Sequence, residues 1–273
     1  MIAMGTLLTL VVAPATGATG AAGTAELTVR CDAEGIRSSP MLWGLFFEEV
    51  NHAGDGGLYA DILPRLSSVI SPVTIVADRD TLTGCVHQVL DQAPEKFIIL
   101  GTSFGGRTAL EVALAAPQRV EGLVVIGAGP GVAADPAAGM RRTERLRGTE
   151  FGSVVTEMAD MVSHLPGQNG EKARSAFISM AQKLGGAAMA RQSAALSQRA
   201  DLWPRLGEIA CPSLMLWGRE DKFSPAADGL KMSTGLPHGR YAEISECGHF
   251  PSLEAPEETA DILLHWLQDN TFI

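Results

Sequence analysis

The chain has 273 residues, 46% hydrophobic and 19% charged, which is enough apolar material for one large α/β domain and too much for global disorder. Its formal charge is −10, from 21 basic and 31 acidic residues without a basic run, and this argues against a nucleic-acid or anionic-membrane surface. The four cysteines, Cys31, Cys85, Cys211 and Cys247, form no CxxC pair and no metal-like spacing with histidine. Free thiols are therefore expected, with no metal and no cofactor, although a secreted chain would allow two of them to pair.

The first 25 residues, "MIAMGTLLTLVVAPATGATGAAGTA", join a short apolar stretch to small residues suited to cleavage but lack a positively charged start. Residues 1–24 read either as a secretory-type leader or as a disordered or added tail. The first reading places the protein outside the cytoplasm and the second inside it. The apolar stretch is too short to span a bilayer, and no later segment is long enough.

Strand candidates follow at "ELTVRC" (26–31), "PMLWGLFF" (40–47), "PVTIVAD" (72–78), "KFIILGT" (96–102), "VEGLVVIGA" (120–128), "CPSLMLWG" (211–218) and "GRYAEIS" (239–245). Several are almost continuously apolar, as strands buried on both faces of a parallel sheet must be. Helix-patterned stretches lie between or after them, at 56–68, 81–93, 105–117 and 256–268. Strand–helix alternation with right-handed crossovers predicts a mostly parallel, doubly wound α/β sheet.

Residues from about 131 to 206 break the rhythm. They contain no strand candidate, and the stretches 148–165, 171–184 and 187–203 predict two or three amphipathic helices. Such an insertion between strands serves as a lid over the carboxyl ends of the sheet or as a packing appendage, and its place before a catalytic strand favours the lid. Met158, Met161, Met180 and Met189 at helical spacing fit either an apolar pocket wall or ordinary core. The expected organisation is thus a leader followed by one domain over 25–273 with a helical cap.

The chemistry concentrates at "KFIILGTSFGGRTALEVALAA", where an apolar strand ends in Gly101-Thr102-Ser103-Phe104-Gly105 and an Ala/Leu-rich helix starts at once. G-x-S-x-G between strand and helix is a nucleophile elbow: small neighbours let strand and helix approach, and a tight turn lifts the serine hydroxyl out of the sheet. The helix N-terminus beneath it favours an oxyanion. An elbow serine needs a base and the base an orienting acid, which follow in the order acid, then histidine. Asp221 lies in the polar turn after "CPSLMLWG" and His249 in the turn after "GRYAEIS", both at strand ends. Glu220 competes with Asp221 but sits less deeply in its turn. His87 and His265 fall within helices, His164 ends one, and His238 occupies a Pro/Gly turn, so none is placed to serve as the base.

On these segments, "LGTSFGG", "PSLMLWGREDKFSP" and "CGHFPSLEAPEE", the chain from about Leu63 onward resembles the α/β-hydrolase superfamily, close to its small lidded esterases and enol-lactonases. The resemblance covers roughly three quarters of the sequence. It implies Ser103 as nucleophile, His249 as general base and acid, and Asp221 as orienting carboxylate. It also implies an oxyanion hole formed by the Phe104 amide and one amide from the loop after an earlier strand. Family members carry His-Gly at that second place, where this chain has Trp43-Gly44-Leu45. The retained glycine points to the Leu45 or Phe46 amide as the second donor, with Trp43, Gly44 and Phe46 bordering the substrate. One such donor is worth on the order of 3 kcal/mol, so a misbuilt arm makes a slow enzyme.

A second resemblance covers residues 27–61. "GLFFEEVNHAGDGGLYADIL" is similar to the N-terminal start of an α-L-arabinofuranosidase, so the chain resembles a junction of two families near Tyr59 to Pro64. A fusion, a cloning artefact and a chance likeness would all give this pattern. Glu48, Glu49, His52 and Asp55 have the look of an active site, but the implied catalytic glutamates of that family belong to later strands of a barrel needing about 250 residues. Retaining glycosidases need two carboxylates about 5 Å apart across the sugar, whereas adjacent glutamates on a strand point to opposite faces.

The leading expectation is a serine hydrolase of small carboxylic esters working through an acyl-enzyme. Lactone hydrolysis, carbon–carbon bond hydrolysis and perhydrolysis use the same triad and stand as alternatives. A non-catalytic binding protein would follow if the N-terminal arm spoils the oxyanion hole. The expected partner is a small-molecule ester, with neither nucleic acid nor membrane.

Overall fold

The computed structural model describes residue 59, residues 61–165 and 167–273, and the backbone of 43–47. The leader, the strand expected at 26–31, Cys31, and the cluster of Glu48, Glu49, His52 and Asp55 lie outside the described residues.

Among the described residues, six strands form one sheet: β1 (Trp43–Phe47), β2 (Ser71–Ile75), β3 (Phe97–Thr102), β4 (Val120–Ile126), β5 (Ser213–Gly218) and β6 (Gly239–Ile244). Their order is β2-β1-β3-β4-β5-β6, and every pairing is parallel. Parallel neighbours cannot be joined by tight turns, so helices carry the crossovers. In chain order the described α-helices are α1 (Leu63–Leu66), α2 (Leu82–Gln92), α3 (Phe104–Ala115), α4 (Pro136–Arg147), α5 (Phe151–Val162), α6 (Gln168–Leu184), α7 (Gly186–Ser197) and α8 (Ala226–Gly235) between strands, then α9 (Pro251–Glu254) and α10 (Pro256–Asp269) after β6. The α/β-hydrolase architecture expected from the sequence is present, and β3, buried at every position, has the two-sided burial its apolar run demands.

The pleat divides the strands between two cores. Ile98, Leu100, Val124, Ile126, Leu214 and Leu216 face α1, α10 and the insertion. Phe97, Ile99, Leu123, Val125, Met215 and Trp217 face α2, α3 and α8. Strict alternation along three adjacent strands is what a period of two requires.

Several elements differ from expectation. Among the described residues, the region between β4 and β5 holds four α-helices, α4 to α7, and a short 3-10 helix (Trp203–Glu208), not two or three helices. The unforeseen one, α4, buries only Thr143 and Leu146 among its arginines and so shows little apolar periodicity. Helix α8 carries two glycines and gave no helical signal. Among the described residues of 56–68, only Leu63–Leu66 is helical.

One buried side chain fastens both ends of the insertion to α3. The Arg107 guanidinium, 1% exposed, donates to the Pro130 carbonyl at 2.8 Å, to the Ala200 carbonyl at 2.7 Å and to Glu111 at 2.8 Å. Burial lowers its pKa, opposed by Glu111. At the other side, Arg191 of α7 pairs with Asp78 at 2.9 Å and Gln192 donates to the Ala77 carbonyl at 3.0 Å, tying α7 to the loop after β2.

Candidate active site

The elbow is forced by contact. Ser103 has φ 54° and ψ −114°, a backbone strained for any residue with a side chain. The Ser103 amide donates to the Ile126 carbonyl at 2.8 Å, and its carbonyl accepts from the Arg107 amide at 2.9 Å, opening α3. A Cβ on Gly101 would overlap the carbonyl group of Gly105, and one on Gly106 would come within 2.8 Å of Ala128 Cβ. Small residues on both sides of the serine are therefore a steric requirement of this turn. Beneath it, the first amides of α3, including that of Phe104, have no intrahelical acceptor to reach and point toward the turn.

Asp221 sits where β5 ends. Its Oδ1 accepts from the amides of Phe223 and Ser224, each at 2.8 Å. Trp217, fully buried on β5, donates from Nε1 to the Ser224 carbonyl at 3.0 Å and holds the same turn from the opposite side. The other oxygen, Oδ2, lies 2.7 Å from His249 Nδ1, with both side chains buried. An ionised carboxylate only accepts, so Nδ1 carries the proton and the lone pair rests on Nε2. That Nε2 is buried and has no hydrogen-bond partner among the described residues, and Ser103 Oγ likewise takes part in no described hydrogen bond.

The ring of His249 is packed on three sides. Phe223 and Phe250 each stand 5.0 Å from it, centroid to centroid. Gly127, with φ +60°, passes so close that a Cβ there would lie 3.0 Å from Nδ1. Gly127 follows Ile126, the residue that accepts the Ser103 amide, so elbow and base share one wall. At the end of β5, a Cβ on Gly218 would overlap the carbonyls of Cys247 and Gly248.

The structure thus brings Asp221 and His249 together, next to the Ser103 turn. Glu220 does something different: its Oε2 accepts from the Cys247 amide at 2.9 Å, bracing the turn that carries His249. His87, His238 and His265 are exposed and remote in role. The three described cysteines, Cys85, Cys211 and Cys247, are free, and burial pushes the Cys85 thiol up to about 11. No group of residues suited to a metal ion occurs among the described residues, and no described helix is long and apolar enough to cross a membrane.

The second oxyanion donor needs correction. Leu45 lies inside β1, in register with Val73 of β2 on one side and Ile99 of β3 on the other. Trp43, Gly44 and Phe46 belong to the same strand. An amide in the middle of a strand flanked on both sides is directed into the ladder, so neither Leu45 nor Phe46 is free to face an oxyanion. Residues 48–58, which follow β1 in the chain, lie outside the described residues.

A cavity of about 300 Å³ lies beside Phe223, lined in part by Asp135, Arg142, Met158, Met189, Ser193 and Phe223 itself; neither Ser103 nor His249 lines it. Of the four methionines singled out by sequence, Met158 and Met189 reach this wall, Met180 is buried in the core, and Met161 is 42% exposed. The Arg142 guanidinium stands 5.9 Å from the Phe223 ring centroid and forms no ion pair or hydrogen bond among the described residues. Sequence reasoning missed Arg142, Phe223 and Gly127. Only Gly127, in "VVIGAG" at a strand end, left a signal that could have been followed.

A model of the alpha/beta hydrolase family matches residues 35–262. The chain belongs to that family. The match includes most of residues 27–61, and the resemblance of that segment to an arabinofuranosidase gains no support from these comparisons. A 2-hydroxy-6-oxononadienedioate/2-hydroxy-6-oxononatrienedioate hydrolase of Cupriavidus pinatubonensis is 32% identical to this hydrolase over 192 residues, or 67% of this chain. The chain spans 66% of that relative, just under two thirds of its length. Among solved structures, an enol-lactonase from Burkholderia xenovorans LB400 superposes with a TM-score of 0.72 at 17% identity, covering 86% of this chain and 94% of that one. A thermophilic esterase from Thermogutta terrifontis gives a TM-score of 0.71 at 19% identity, covering 85% and 91%. At such identities the two structures attest to the shared fold.

Proposed function

We propose that this hydrolase cleaves a carbon–carbon bond next to a ketone in a small, carboxylate-bearing substrate, with Ser103 as nucleophile, His249 as base and Asp221 as its orienting acid. The observation that carries the catalytic assignment is the buried 2.7 Å contact between Asp221 and His249 beside the strained Ser103 turn. The relative named for a dienedioate substrate favours carbon–carbon cleavage over the ester hydrolysis that led the sequence-based readings.

In the first step His249 Nε2 takes the Ser103 proton as Oγ attacks the ketone carbon. The Phe104 amide at the α3 N-terminus stabilises the resulting oxyanion. The tetrahedral adduct collapses by breaking the bond to the neighbouring carbon. That carbon departs with the electron pair, so a second carbonyl in conjugation must delocalise it, and the proton held by His249 completes the leaving fragment. Water, deprotonated by His249, then hydrolyses the acyl-serine, releasing a carboxylic acid and regenerating the serine. The sum is ketone plus water giving an acid and a protonated carbon fragment.

The substrate would lie in the cavity beside Phe223, where Arg142 is the uncommitted charge and supplies a partner for a carboxylate. Helices α4 to α7 act as a lid whose α4 and α7 faces form the far wall.

The test compares a conjugated 2-hydroxy-6-oxo-dienedioate with a series of p-nitrophenyl esters, using wild type and Ser103→Ala. We expect dienedioate turnover that falls by at least ~10⁴-fold in the variant. Activity that survives the substitution sinks the nucleophile assignment, and rapid ester turnover with no dienedioate consumption returns the ester reading to first place.

A further inference from the structure

Near the base, one buried ionisable group has no part in the steps above. Glu254, at the end of α9, is 1% exposed. Its Oε2 accepts from the Gly248 amide at 3.1 Å and from the His164 amide at 2.9 Å. Gly248 immediately precedes His249, and His164 follows α5, so a single carboxylate oxygen bridges the turn of the base and the insertion. A third bond joins the same two segments, from the His249 amide to the Val162 carbonyl at 2.8 Å.

The junction has no slack. A Cβ on Gly248 would stand 2.8 Å from Glu254 Oε1, 2.8 Å from the His164 nitrogen and 2.9 Å from the Val162 carbonyl oxygen. Nor is it the cheapest way to join two stretches of backbone. Glu254 Oε1 is buried without a hydrogen-bond partner among the described residues, and desolvation raises the carboxyl pKa against the His164, Gly248 and Phe250 amides that lower it. Burying a carboxylate costs stability unless its hydrogen bonds compensate, so a merely structural link would be better served by an apolar contact. What the carboxylate adds is a fixed distance and direction between two amides, one of them adjacent to the base.

We propose that Glu254 is a positioning residue for His249: it locks the turn carrying the base to the end of α5, so that the seating of the insertion on the sheet sets where the imidazole stands. Asp221 fixes the ring by Nδ1, Phe223 and Phe250 flank it, and Glu254 fixes the backbone from which it projects. The insertion is thereby part of the catalytic geometry as well as the pocket wall. This inference rests on the reading of Ser103 and His249 as nucleophile and base.

The readout is the second-order rate of Ser103 labelling by a fluorophosphonate probe, which reports the serine–histidine pair without requiring the natural substrate, together with kcat and KM on whichever substrate turns over. Glu254→Ala should slow labelling and kcat by about 100-fold with KM within about threefold, since a misplaced catalytic group costs rate more than binding. Glu254→Gln keeps an oxygen able to accept both amides and should restore the labelling rate to within about fivefold of wild type, as expected when hydrogen-bond geometry is what matters. A folded Glu254→Ala protein that labels at the wild-type rate overturns the proposal, as does a Glu254→Gln protein as slow as the alanine variant. If Glu254→Ala does not fold, Gly248→Ala wedges the same junction apart with the carboxylate retained: slowed labelling supports the proposal and an unchanged rate overturns it. Wild type that fails to label at Ser103 removes the nucleophile assignment itself, an outcome distinct from any behaviour of the variants.

Discussion

The strand ends and the helical insertion are held in different ways. At the carboxyl ends of β3 and β5, backbone lies against backbone: Gly101 against Gly105, and Gly218 against the Cys247 and Gly248 carbonyls. Most of the insertion is tied down by side chains reaching across gaps, Arg107 to its two ends and Arg191 to Asp78, with Arg145 joining α4 to α5 within it; at the α5 end it also meets Gly248 backbone to backbone. Steric contact of the first kind tolerates no added atom, whereas a long polar side chain can be shortened or re-aimed at small cost. The turns that carry Ser103 and His249 should therefore be brittle and the cavity wall adjustable.

The sharpest way to break the comparison on the brittle side is Gly101→Ala. Its methyl group has nowhere to go, because Gly105 occupies the position. Overpacking of this kind costs about 1–3 kcal/mol, and the relief available is a shift of strand against helix that moves Ser103. We expect at least a ~100-fold loss of Ser103 labelling and a urea midpoint lowered in keeping with that cost. A variant with wild-type labelling would show that the elbow is softer than its contacts imply.

On the adjustable side, Arg142→Met keeps length and apolar contact with Phe223 but removes the charge. Charge-assisted hydrogen bonds contribute about 1.5–3 kcal/mol, so KM for a dicarboxylate should rise by roughly 10- to 100-fold with kcat little changed. A neutral p-nitrophenyl ester should see no loss. Equal effects on both substrates would remove Arg142 from carboxylate recognition.

This contrast also explains what could be read in advance. The elbow was legible because its requirements are local: a buried strand, small residues two positions either side of the serine, and a helix start. Asp221 and His249 followed from chain order and from their strand ends. Residues that act through distant contacts were not legible. Glu254 meets His164 from 90 positions away, and Arg142 meets Phe223 across the cavity. The second oxyanion donor was misplaced for another reason: "PMLWGLFF" ends where β1 ends, at Phe47, so the Trp43-Gly44-Leu45 stretch matched to the family's His-Gly loop lies inside the strand. Helix α4 was missed because its exposed arginines conceal the two buried positions that anchor it.

The smallest effect is expected at the surface of the insertion, where Arg145 bridges Glu150 at 2.8 Å and Glu157 at 2.7 Å, linking α4 to α5. The pair with Glu157 is bidentate; the two carboxylates hold the Arg145 pKa above its ordinary value, and Arg145 in turn holds that of Glu157 down. All three groups are open to solvent, where screening and side-chain entropy consume most of the attraction. Arg145→Ala should therefore lower Tm by no more than about 2–3 °C, less so in high salt, and leave Ser103 labelling unchanged. Because this network joins α4 to α5 directly, a large fall in labelling would mean that the insertion's surface contacts reach His249 through the α5 end. The wall and the site would then be equally brittle, and the distinction between them would fail.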